Sequence, residues 1–184
     1  MLLTKKVYKT AFIETLREHN LNVYFLRNHS FILIHGNDSS RIVNVELITS
    51  TKIIPEVHCS HNNTSVTSIG RFKFIIPKWE DKIHYYVFAF LNTDNHTIEY
   101  VIVKDEVLRA RFQKLNRIPA ASKKAELTFW LMPDRRVYDT TNISFEAEWY
   151  WLGDGGGRRM ADGTDWDYTD FLNDWNGMVE AVKG

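Results

Sequence analysis

Apolar residues at positions 7, 11, 12 and 16 of "TKKVYKTAFIETLREHN" (4–20) fall on one stripe of a 3.6-residue period, which predicts a helix that Asn20 can end. After it the period shortens to two. "NVYFLRN" and "SFILIHG" read as strands, "NDSS" (37–40) as a turn, and "RIVNVELITS" as the returning strand. Ser30 to Ser50 is therefore predicted to be a β-hairpin. Within its second arm Val43, Val45 and Leu47 alternate with Asn44 and Glu46, an inward apolar row beside a half-solvated polar one.

"IIPEVHCSHNNTSVTSIG" has neither period and reads as a polar connection. "RFKFIIP" is a further strand, and "HYYVFAFLN" is a β-prone run joined by the turn "TDNH" to its partner "TIEYVIVK". Asp105 is placed to cap a helix through "EVLRARFQKLN", which Pro119 terminates. "AELTFWLM" is a late strand, and the Gly-rich "GDGGGRRMADG" precedes a last segment, "DYTDFLNDWNGMVEAVKG". Helix, strands, helix, strand and an irregular end make an α+β (mixed α/β) chain. We expect one domain over 1–184, with an irregular, acidic, aromatic-rich part from about 134.

At 184 residues with 44% hydrophobic positions, such a domain can bury a core without disulfides or metals. One cysteine, Cys59, excludes an internal disulfide and fits a reducing compartment. No apolar run approaches the roughly 20 residues of a membrane helix, and "MLLTKKVYKT" is unlike a secretory signal. The expected location is the cytoplasm, with no membrane partner. Charge is balanced overall but not along the chain. Residues 1–133 hold 18 Lys/Arg against 12 Asp/Glu, and residues 134–184 hold 5 against 11. Either a basic body meets a polyanion or the two halves pair with each other, and pairing is the commoner arrangement.

"RIVNVELITS", "DKIHYYVFAFLNTDNHTIEYVIVKDEV" and "YTDFLNDWNGM", in this element order, resemble the PD-(D/E)XK (restriction-endonuclease-like) nuclease superfamily over roughly residues 4–178. The resemblance implies a mixed β-sheet flanked by helices. It also implies an acid on one hairpin strand and a (D/E/Q)-x-K pair on the next, holding Mg²⁺ against a scissile phosphate. Carried over to this chain, those positions are Phe31, Asn44 and Glu46, with Phe31 expected opposite Glu46. That set has one carboxylate and no lysine, a degenerate active site. Asp38, in the turn, and Asp81 are the acids that could substitute.

The best basic patch is the second helix and its flank, Arg109, Arg111, Lys114 and Arg117, with Arg158 and Arg159 of the Gly-rich loop as further phosphate contacts. Other motifs are weaker. His58, Cys59 and His61 lack the second ligand pair of a structural zinc site. "GDGGGRR" lacks the Gly-Lys-Ser/Thr of a Walker loop, and Asp162, Asp165, Asp167 and Asp170 lack calcium-loop spacing. Trp149, Tyr150, Trp151, Trp166, Tyr168 and Trp175 concentrate aromatics near the end, where they fill a core or anchor a partner.

Three readings follow. The first is a pseudoenzyme that contacts nucleic acid as a non-cutting subunit or regulator, without a cofactor. The second is a protein-interaction module, an inhibitor, immunity or assembly factor or a homo-oligomer, on the same scaffold. The third is an active Mg-dependent DNA endonuclease with relocated acids.

Overall fold

The computed structural model describes residues 3–25, 30–35, 38–50, 52–54, 57–59, 64–76, 84–115, 117, 124–141 and 165–183. The fold is α+β, in layers. A five-stranded sheet in the order β1-β2-β3-β8-β9 lies at the centre: β1 (Leu21–Phe25), β2 (Ser30–His35), β3 (Asp38–Thr49), β8 (Tyr85–Leu91) and β9 (Ile98–Lys104). All neighbours are antiparallel except β3 and β8, which run parallel. A parallel pair needs a long crossover. Here it carries β4 (Lys52–Ile54), β5 (Val57–Cys59), β6 (Thr64–Val66) and β7 (Ser68–Phe74). β4, β5 and β6 are strands in the stretch that lacked periodicity in the sequence, while β7 contains the start of the expected strand "RFKFIIP".

β4 and β7 join β10 (Ala125–Leu131) and β11 (Val137–Asp139) in a second, antiparallel sheet ordered β11-β10-β7-β4, while β5 and β6 form a separate ribbon. β11 lies within the part expected to be irregular.

One face of the central sheet packs against helices α1 (Lys5–Glu18) and α3 (Asn176–Lys183) through Phe12, Leu16, Phe31, Val45, Val87, Tyr100, Trp175 and Met178. The α1 stripe runs through Tyr8, Phe12 and Leu16, while Val7 is 44% exposed. The tyrosine ring takes the inward position because α1 meets an aromatic layer: Phe12 lies edge-on to Phe31 at 5.2 Å and beside Trp175 at 6.0 Å. Asn20 ends the region with a positive φ of 59°, the left-handed conformation that asparagine tolerates.

Among the described residues, the other face is covered over β8, β9 and the Ile48 end of β3. There Phe88, Phe90, Val101 and Val103 meet Phe72 and Phe74 of β7, Leu127 and Phe129 of β10, and Leu108 and Phe112 of α2 (Asp105–Lys114). Central β8 is buried on both faces, which explains an apolar run without alternation.

Residues 165–175 strap the two sheets together. Tyr138 of β11 bridges to Asp167, and Val101 of β9 bridges to Leu172, around a short 3-10 turn at Thr169–Phe171. Tyr168 is fully buried and Trp175 nearly so, so these two aromatics of the acidic end belong to the core. Among the described residues, no helix is long and apolar enough to cross a membrane.

Candidate functional site

The polar group richest in chemistry lies where the second face of the central sheet emerges from beneath the second sheet. Cross-strand pairing sets Ser30 beside Glu46, Glu46 beside Tyr86 and Tyr86 beside Val103, one row across four strands. In the next row Ile32 pairs with Asn44. His84, just ahead of β8, locks to Asn44 twice: its backbone N–H donates to the Asn44 carbonyl at 2.9 Å, and its Nδ1 accepts the Asn44 N–H at 3.1 Å. An accepting Nδ1 places the proton of the neutral ring on Nε2. The Asp105 N–H donates to the His84 carbonyl at 3.0 Å, which brings the start of α2 to the same corner.

Glu46 accepts the Ser30 hydroxyl at 2.5 Å. Burial pushes its carboxyl above the ordinary range, with the Ser30 bond pulling the other way. The Tyr86 side chain is fully buried. Burial raises its pKa strongly; the Asp105 charge, a side-chain hydrogen bond with Asp105 and the Glu46 charge add to that, while Arg109 opposes it. Asp105 is the first residue of α2, where its charge suits the helix dipole. Both its oxygens accept from Arg109 Nε, at 2.8 and 2.7 Å.

The register differs from the expected one by one residue. Ser30 stands opposite Glu46, while Phe31 pairs with Val45 and points into the α1 layer. The hairpin shifts between Leu33 and His35, a bulge that the sequence does not mark, and a one-residue slip moves every side chain to the other face. Phe31 therefore leaves the site and a serine takes its place. Asp38 sits in β3 opposite His35 rather than in the turn, at the far end from Glu46. Asp81, Arg158, Arg159, His61, Asp162, Trp149, Tyr150 and Trp151 lie outside the described residues.

Among the described residues no three His, Cys, Asp or Glu side chains are arranged to hold a metal. Mg²⁺ takes near-octahedral oxygen donors, one or two of them carboxylates. On this row Glu46 stands without a second carboxylate, since Asp105 is engaged by Arg109. The described donor set does not fit the ion, and no hydrolytic step through it follows.

The basic helix turns inward to its own chain. Arg111 Nη1 donates to the carbonyls of Asp165 and Asp167 at 3.0 and 2.5 Å, and its guanidinium lies 4.5 Å from the Tyr168 ring and 5.0 Å from Phe171. Lys114 pairs with Asp165 at 3.2 Å. Arg117 pairs with the fully buried Asp139 at 2.5 Å, donates to the Glu126 carbonyl at 3.0 Å, and stacks near Phe112 and Trp166. With Arg109 held by Asp105, the four of the six expected phosphate contacts that lie among the described residues all have partners within the chain. Sequence charge counts show that basic and acidic halves exist, but not that they meet here.

Ser30, His84, Tyr86 and Asp105 are the site residues that the sequence reading missed. Parity along "HYYVF" would have put Tyr86 on the polar face, but only with the strand partner and register in hand. No family model, curated protein or solved structure matches the chain.

Proposed function

We propose that the chain is a non-hydrolytic interaction module, a scaffold that binds a protein partner in the manner of an inhibitor, immunity or assembly factor. One observation carries this reading: the basic residues of α2 and its flank are engaged by Asp105, Asp139, Asp165 and nearby carbonyls, so they serve cohesion within the chain. The part of the central sheet that the described residues leave uncovered supports it. Tyr24 is 56% and Ile42 48% exposed on the same face as Glu46. Large side chains at an otherwise polar surface suit partner anchoring.

Nucleic-acid contact is a second reading with one observation of its own. Lys5 and Lys6 open α1, whose first turn contains no acid, although cations there oppose the helix dipole. Light scattering and crosslinking of the purified chain, beside gel shifts with DNA and RNA over a salt series, separate the two. Self-association or a stable protein complex, without retardation of nucleic acid, supports the interaction module. Salt-sensitive retardation lost in a Lys5→Glu, Lys6→Glu variant replaces it with the second reading. Mg²⁺- or Mn²⁺-dependent cleavage would overturn both.

A further inference from the structure

We infer that the outer edge of β1 takes an acidic, extended segment of a protein partner as an added strand. The inference rests on the interaction reading and names the kind of partner. The two outer strands of the central sheet differ. Along β9, Val101 bridges to Leu172, the Asn173 N–H donates to the Tyr100 carbonyl at 2.7 Å, and the Tyr100 N–H donates to Asn173 Oδ1 at 2.9 Å. The strap therefore occupies that edge. At the other end β1 has one strand neighbour among the described residues, β2. Edge strands that are kept from pairing carry a charge, a proline or a bulge. The five residues of β1, "LNVYF", include no charge and no proline, and they pair with β2 without a shift of register. Val23 packs toward the α1 layer, which leaves Tyr24 on the opposite face, 56% exposed.

α1 selects the charge of the occupant. Lys6, Lys9, Ile13 and Arg17 follow one another at three- and four-residue spacing and share one flank of that helix. Lys9 Nζ lies 6.0 Å from the ring of Phe31 on β2, which pairs with Phe25 of β1, so this flank is turned to the β1 side. The acids are on the other flank: burial raises the Tyr100 hydroxyl of β9, and the Glu14 and Glu18 charges raise it further. A second copy paired with β1 about a two-fold axis would set both α1 helices on one side of the joined sheet, basic flank against basic flank. Such like charges oppose self-pairing. An added strand with acids at alternate positions sends them to the α1 side and its apolar residues to the Tyr24 side.

The test is titration of the full chain with a blocked Glu-Val-Glu-Val-Glu-Val peptide and with its Lys-Val-Lys-Val-Lys-Val counterpart, read by amide chemical shifts. Saturable binding of the acidic peptide is expected, with shifts centred on residues 21–25, and binding of the basic peptide about tenfold weaker or less. Lys6→Glu combined with Arg17→Glu, both exposed, should weaken the acidic peptide about tenfold with little change in melting temperature, so lost binding is not lost folding. Failure to saturate, shifts away from β1, or equal binding of both peptides overturns the inference. Self-association lost in Tyr24→Lys also overturns it, by assigning the edge to a second copy. Equal displacement of the peptide by a DNA oligonucleotide of the same charge does so too, by making the surface a general polyanion patch. A stable protein complex that leaves β1 unshifted sinks this inference alone, whereas salt-sensitive retardation of nucleic acid sinks the interaction reading beneath it.

Discussion

Arg135 grips Glu99 through both carboxylate oxygens, Nη1 donating to Oε1 at 2.8 Å and Nη2 to Oε2 at 2.9 Å. Glu99 lies on β9 and is almost fully buried, while Arg135 sits at the turn between β10 and β11. Asn92, after β8, and Asn173, in the strap, donate to the same carboxylate at 3.1 and 2.6 Å. Arg135 and Asn173 have positive φ angles of 69° and 54°. A left-handed backbone costs a non-glycine residue roughly 1–2 kcal/mol. Two such residues converge on one buried acid, so Glu99 is the node that joins both sheets and the strap.

Replacing Glu99 should be among the more damaging single changes. Glu99→Gln sets an amide NH2 against the Arg135, Asn92 and Asn173 donors in a buried place and is expected to lower stability by about 2–3 kcal/mol, a midpoint shift readable by urea titration. Arg135→Ala should cost less, about 1–2 kcal/mol, because Asn92 and Asn173 still serve the acid.

Acid unfolding should report the same node. Burial pushes the Glu99 carboxyl up, but its Arg135, Asn92 and Asn173 donors outweigh burial and hold it below the ordinary 4.5. A depressed folded value means that the contribution is complete above pH 4.5 and disappears as pH falls through the folded value. The stability gap between parent and Glu99→Gln, measured from neutral pH downward, should close only below about pH 4.5.

Glu46 should behave in the opposite sense. Its folded pKa is raised by burial, so relative stability is fully present below 4.5 and is lost as pH rises through the folded value. Glu46→Gln should match the parent near pH 4 and exceed it at pH 7. A variant less stable than the parent at pH 7 would contradict this.

Arg111 holds the strap by two carbonyl bonds and two ring contacts. Arg111→Ala should cost about 2–3 kcal/mol, with a fall of roughly 4–10 °C in Tm for a chain of this size. Arg111→Lys should recover little, since an ammonium cannot stack as a plane while bonding two carbonyls. Limited proteolysis should cut the strap first in either variant.

Gly70 of β7 has no room for a side chain. A Cβ there would lie 2.8 Å from the Phe72 ring and 3.0 Å from that of Phe90. Gly70→Ala should destabilise by about 1–3 kcal/mol through overpacking, seen as a lower Tm with an intact circular-dichroism spectrum.

Much of the architecture was legible because it follows from local pattern. The first helix, the two strands of the hairpin though not its register or turn, the β8–β9 pair, the second helix and β10 stand about where periodicity, β-propensity and turn residues put them. What escaped is non-local. Short β4, β5 and β6 have three residues each, too few to display a period. The α1 stripe turned to favour Tyr8 because of rings it meets from other elements. At the site, Asn44 and Glu46 stood on the expected polar row, but Ser30 and Tyr86 joined them through a bulge and a parallel pairing that only tertiary structure specifies. The inward course of Arg111 and Arg117 belongs to the same class: their partners lie 54 and 22 residues away.

β8 has two neighbours with very different histories. β9 returns to it through a tight turn at once, whereas β3 must wait while residues 50–84 are made. During synthesis the first three strands leave the ribosome with the inner edge of β3 bare, an invitation to pair with another nascent chain. Translation speed across that interval, and chaperone cover during it, should therefore govern the yield of native protein more than the stability of the finished molecule does.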